Sequence, residues 1–162
     1  HFRHGGAEAI PATDNSFDIV LMFKSLHHVP MENMDRALSE IARVLKPGGL
    51  AWISEPVFAG DLNDVFRLFH DEKVVREAAF AAIRKAVDDG RLRLDKQFFF
   101  NTRSFFESFD QFDQRMIRVT HSSHHLSTRL YLNVKEKFES YLTPEGATFL
   151  NPQRVDLLRK AG

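Results

Sequence analysis

Cysteine is absent from all 162 residues, which excludes disulfides, thiol nucleophiles and thiolate metal sites together. An excess of either charge is absent too, since 22 basic and 22 acidic residues cancel. The basic residues are scattered, so the clustered positive surface of a nucleic-acid binder is missing and no nucleic-acid partner is expected. No apolar run approaches the ~20 residues needed to cross a bilayer, and the N-terminus lacks a charged-then-apolar signal pattern. The expectation is a cytoplasmic protein without a membrane partner. Repeats, low-complexity tracts and long linkers are also missing, and the length suits one core, so 1–162 reads as a single domain.

What is present centres on Phe17 to Glu55. FDIVLMF is almost continuously apolar rather than alternating, which predicts a strand buried on both faces of a parallel sheet. Met34, Ala37, Leu38, Ile41, Ala42 and Leu45 recur at helical spacing and predict one core-facing stripe, with Arg36, Glu40 and Arg43 on the solvated face. Pro47 and Gly48-Gly49 stop that helix at Lys46, and Leu50 to Ser54 is a second strand. Strand, helix, strand makes a right-handed βαβ unit, whose ligands are expected beyond the strands' carboxyl ends, at Phe23 to His28 and Ser54 to Pro56. Upstream, Gly5-Gly6 permits a sharp turn or a close backbone approach to a ligand. Asp14-Asn15 favours a turn in the loop Pro11 to Ser16, which needs no functional reading.

Beyond Pro56 the pattern turns helical. Leu62, Val65, Phe66 and Phe69 form a stripe after an Asp61 cap, and Val74, Ala78, Ala82, Ile83 and Ala86 continue it to Gly90, as one helix or two. Phe98 to Phe112 holds seven of the sixteen Phe residues, and Phe105, Phe109, Phe112 and Met116 share helical spacing after a Thr102 or Ser104 cap. Such a stripe reads as core, with a lid over an apolar substrate as the functional alternative. Leu130, Val134, Phe138 and Tyr141 predict a further helix, and Ala147 to Leu150 a short strand. Asn151-Pro152 then has the signature that opens a last helix through Lys160.

The stretches GGAEAIPATDNSFDIV, SLHHV and ALSEIARVLKPGGLAWISEP, in this order and spacing, resemble the class I, Rossmann-like S-adenosylmethionine-dependent methyltransferases. GATFLNPQRVDLLRKAG resembles tails of small-molecule members. The resemblance implies an α/β fold: a partial Rossmann-like methyltransferase sheet, with residues 1–57 as the core portion and 58–162 as a mostly helical substrate, cap and C-terminal part. It implies S-adenosylmethionine as cofactor and a small-molecule methyl acceptor as partner. Family positions beside the adenine match Ala7 and Glu8, and those alongside the ribose and methionine match Phe23, Lys24 and Leu26. Where the family usually carries Asp against the adenine, this chain has Gly6. The family's first strand, its GxGxG loop and the acidic residue ending its second strand would precede His1, so the chain reads as a C-terminal portion that binds cofactor poorly by itself. The alternative is a non-catalytic interaction or assembly module. Either way the strand Phe17 to Phe23 would have an unpaired edge, which predicts a homodimer or larger assembly.

Methyl transfer relies on positioning in a water-poor pocket, so a catalytic base is optional. The candidates are His27 and His28, at the loop where substrate would enter, and Glu55 at the next strand end. Against them stand a histidine packed on the following helix and a solvated carboxylate. His121, His124 and His125 invite a metal reading, but without Cys or a framing carboxylate the spacing is unspecific and no metal is assigned.

Overall fold

The computed structural model describes residues 4–119 and 126–161. Four strands form one sheet in the order β1-β2-β4-β3: β1 is Phe17–Phe23, β2 Leu45–Pro56, β3 Leu92–Phe106 and β4 Ala147–Lys160. The helices are α1 (Met31–Val44), α2 (Asp61–Phe66), α3 (Lys73–Asp88), α4 (Phe109–Phe112) and α5 (Thr128–Glu139). The mixed α/β class and the partial sheet are as expected. Two compact units share the chain: one takes residues 1–57, 73–100 and 153–162, the other 58–72 and 101–152.

In the first unit β1 pairs with β2 in parallel, Val20 opposite Ala51 and Met22 opposite Ile53, with α1 as the crossover. The α1 stripe is buried as its spacing predicts: Met34, Ala37, Leu38 and Ile41 share a core with Ala79, Ile83 and Ala86 of α3 and with Met22, Ala51 and Ile53. The helix ends at Val44 rather than at the predicted Lys46, and β2 starts at once at Leu45, so Pro47 to Gly49 lie within the strand, with Gly48 at φ +76°.

β1 departs from its prediction. One face, bearing Met22, is covered, whereas Ile19 and Phe23 on the other are 58% and 60% exposed. Its outer edge pairs with no strand among the described residues. A continuously apolar strand records that both faces suit burial; in this chain helices cover only one.

The second unit has its own aromatic core of Phe106, Phe109, Phe112, Phe138 and Phe149 with Leu62 and Val65. Phe112 and Phe138 stand 4.8 Å apart, and Phe106 meets Phe112 edge-on at 5.3 Å. The Phe stripe is therefore core. Its local structure differs from the predicted helix, because 92–106 is strand and the helix begins only after Ser108, whose side chain accepts a hydrogen bond from the Gln111 N–H at 3.3 Å. Phe-rich sequence fits a pleated surface as well as a helix, and pairing in the sheet decided between them.

The predicted last helix is also corrected. Residues 153–159 are strand, each backed by β2 in antiparallel register from Gln153 opposite Pro56 to Arg159 opposite Leu50. The Asn-Pro signature is local, and the β2 partner supplies the hydrogen bonds that override it. Downstream of Pro56, then, helices alternate with two long strands.

Candidate functional site

The carboxyl ends of β1 and β2 meet through one carboxylate. Glu55 is 2% exposed, and its Oε1 accepts hydrogen bonds from the backbone N–H groups of Ser25 at 3.1 Å and Leu26 at 2.9 Å. Its Oε2 is paired with Nδ1 of His27, itself 5% exposed. Glu55 is thus neither solvated nor open to a substrate: both oxygens hold the loop that follows β1. That loop makes a 3-10 turn at Leu26–His28, and the rings of His27 and His28 lie 4.1 Å apart. His28 is exposed.

The loop is entered through strained backbone. Lys24 has φ +48°, a left-handed conformation that a side-chain-bearing residue adopts at a cost of about 1 kcal/mol. Its N–H still donates to the Ser54 carbonyl at 2.7 Å, so the chain leaves β1 and turns sharply within one residue. Lys24, Leu26, His27, His28 and Glu55 are brought together here. The Leu26 side chain is fully buried, its N–H is spent on Glu55 and its carbonyl accepts from the Val29 N–H.

Ala7 and Glu8 belong to a different stretch, the loop that precedes β1. Gly5, Gly6, Ala7, Ile10, Pro11 and Phe17 line an open, mostly apolar cavity of about 1000 Å³. Ala7 packs against the core cluster that contains Leu26. At Gly6 a Cβ would fall 2.2 Å from Oε1 of Glu8 and 2.5 Å from its Cδ, so the Glu8 carboxylate occupies the space a residue-6 side chain would fill.

Residues 1–53 match the family described as Methyltransferase domain. The backbone carries the same conclusion further: BH2331 from Bacillus halodurans, a protein assigned to the methyltransferases, superposes with a TM-score of 0.60 at 21% identity, over 98% of this chain and 70% of that one. The fold is that of the class I methyltransferases. Among relatives, Methyltransferase GfsG of Streptomyces halstedii is 41% identical over 64 residues, 40% of this chain and 22% of that protein. The ubiquinone/menaquinone biosynthesis C-methyltransferase UbiE of Shewanella pealeana is 35% identical over 71 residues, 44% and 27% of the two chains. The chain thus spans about a quarter of the length of these curated relatives in the matched stretches.

Within this methyltransferase fold the loop Pro11 to Ser16 carries more than its sequence shows. Arg43, expected on a solvated face, donates from Nη1 to the Ala12 carbonyl and to Asp14, each at 2.8 Å, and from Nη2 to the Ile10 carbonyl at 3.0 Å. Glu40 accepts from the Ile10 N–H at 2.9 Å and from Arg43 Nε at 2.7 Å. The hydrogen bonds from Arg43, with that from Ile10, hold the Glu40 carboxyl below the usual carboxylate range against the opposing effect of burial. An acid and a base at i, i+3 on a helix is the only signal the sequence offered, and it does not distinguish a surface pair from a clamp. His121, His124 and His125 lie outside the described residues. No helix among the described residues is long and apolar enough to cross a membrane.

Proposed function

We propose that the protein transfers a methyl group from S-adenosylmethionine to a small-molecule acceptor in the cytoplasm. The cofactor supplies an electrophilic methyl group on a sulfonium; the chain's own work is to bind, orient and exclude water. The observation that carries this reading is the Glu55-anchored loop at the carboxyl ends of the parallel strands, where α/β sheets hold ligands. Lys24 and Leu26 belong to that loop, Phe23 adds an exposed ring at the strand end, and Ala7 lines the apolar cavity with Glu8 next to it in the chain. The Glu8 carboxylate, standing in the space beside Gly6, is the acceptor available to an amino-bearing flat ring. These residues fit the adenosine and methionine portions of the cofactor. His28, exposed beside a restrained His27, is the group placed to take a proton from the acceptor, with Glu55 positioning rather than touching it.

The test is calorimetric titration of the full-length protein with S-adenosylhomocysteine, followed by methyl transfer from labelled cofactor. Micromolar binding that is weakened by Glu8→Ala, and turnover lowered by His28→Ala with unchanged product affinity, are expected. No binding by the full-length protein ends the enzyme reading.

The exposed apolar face of β1 favours a second reading, a non-catalytic assembly module that forms homodimers. Tight S-adenosylhomocysteine binding by the full-length protein ends that one.

A further inference from the structure

The loop that lines the large cavity has little secondary structure of its own. Residues 5–13 make two local backbone hydrogen bonds, Ala9 to Gly6 and Ala12 to Ile10, and otherwise cross the surface as turns and bends. Its fixed points come from the last turns of α1. The Arg43 guanidinium reaches the carbonyls of Ile10 and Ala12 and the Asp14 carboxylate, while Glu40 takes the Ile10 N–H. Glu40 also accepts from Arg43 Nε and Nη2, at 2.7 and 2.8 Å, which sets the plane of the guanidinium. Backbone bonds from Asn15 to the Arg43 carbonyl and from Ser16 to the Val44 carbonyl close the far end of the loop.

We propose that Arg43, oriented by Glu40, is the positioning residue of the cavity wall: it sets the path of Ile10 to Asp14 and thereby the shape presented to a flat, apolar ligand ring, without touching that ligand. Neither Arg43 nor Glu40 lines the cavity. The guanidinium fork gives all five N–H donors to acceptors here, two carbonyls, Asp14 and both Glu40 oxygens, whereas the ammonium of lysine has three. The wall depends on this fork because five of its residues, Gly5, Gly6, Ala7, Pro11 and Ala12, bring no long side chain that could anchor it. The adenine moiety as occupant rests on the cofactor reading above; the clamp does not.

The experiment compares full-length wild type with Arg43→Ala, Arg43→Lys and Glu40→Gln, using Lys46→Ala as control, since Lys46 pairs with exposed Asp18 and leaves the wall alone. Amide hydrogen exchange across residues 8–14 and S-adenosylhomocysteine affinity are measured on each. Arg43→Ala is expected to speed exchange in 8–14 by about tenfold or more and to weaken binding about tenfold, the scale of losing charge-assisted hydrogen bonds, while amides of α1 and β2 keep their protection. Arg43→Lys and Glu40→Gln are expected to fall between, and they carry the test if the alanine variant does not fold. Unchanged exchange in 8–14 in all three overturns the clamp. Faster exchange with wild-type affinity overturns its role for the ligand. Wild type that binds no S-adenosylhomocysteine overturns the cofactor reading instead, with the clamp still decided by exchange.

Discussion

Glu55 and His27 join the carboxyl ends of two parallel strands: the Glu55 carboxylate pairs with Nδ1 of His27 while its other oxygen accepts from the Ser25 and Leu26 N–H groups. One buried side chain therefore holds three donors of the loop between β1 and α1. Replacing it with alanine leaves those donors without their acceptor, and a loss of about 3 kcal/mol in stability is expected. Glu55→Gln keeps an oxygen for the two amides but turns an N–H₂ toward His27. It should cost about 1 kcal/mol and drive His27 to the tautomer with an unprotonated Nδ1. Urea midpoints and nitrogen shifts of the His27 ring check both; an alanine variant as stable as wild type contradicts the arrangement.

Along β1, Met22 is 8% exposed and Ile19 58%. Doubly covered strand geometry predicts a severe cost for Ile19→Asp, but this chain leaves that face open. Met22→Asp is expected to destabilise the 162-residue chain by more than about 3 kcal/mol, because it buries an unpaired charge. Ile19→Asp should cost less than about 1 kcal/mol, near the small effect of Arg36→Ala on an exposed helix position. Equal urea midpoints for Met22→Asp and Ile19→Asp would show that the two faces are not distinguished as described.

Between α1 and the turn after α3, Arg91 donates to the carboxylates of Asp35 and Asp89 and to Ser39. Hydrogen bonding by Arg91, joined by Lys85, holds both carboxyls below the usual carboxylate range. A lowered folded-state value means that the stabilisation is fully present above the ordinary carboxylate pKa of about 4 and is lost as pH falls below it. Wild type should therefore lose urea resistance below about pH 4 more steeply than Arg91→Ala. High salt should narrow the difference, since these groups are partly exposed. Parallel pH profiles for the two proteins would exclude the linkage.

An unpaired β1 edge with Phe17, Ile19, Leu21 and Phe23 exposed on one face is a template for another strand. The 162-residue chain is expected to sediment as a dimer or larger species at micromolar concentration. Ile19→Lys with Leu21→Lys should return it to a monomer, because facing lysines repel across a pairing edge. A wild-type chain that stays monomeric and soluble rules the assembly out.

The sequence by itself determined the βαβ unit. Apolar residues at helical spacing between two apolar runs admit one arrangement, and the buried stripe Met34 to Ala42 of α1 and the parallel β1–β2 pairing follow from it; the helix end does not, since α1 stops at Val44 and Leu45 with Pro47 to Gly49 joins β2. It also marked the loops at the strand ends, although it offered Glu55 as either a substrate contact or a solvated group. Only the tertiary structure decided that Glu55 is spent on Ser25, Leu26 and His27, because those partners lie nearly thirty positions away and a carboxylate's role depends on which donors reach it. The same holds for Arg43, whose charge reads as solvent-facing until the loop Ile10 to Asp14 folds back onto it. At Phe105, Phe106 and 153–159 local signals favoured helix, and the outcome was strand, since backbone hydrogen bonding to distant neighbours outweighs preferences of a few tenths of a kcal/mol per residue.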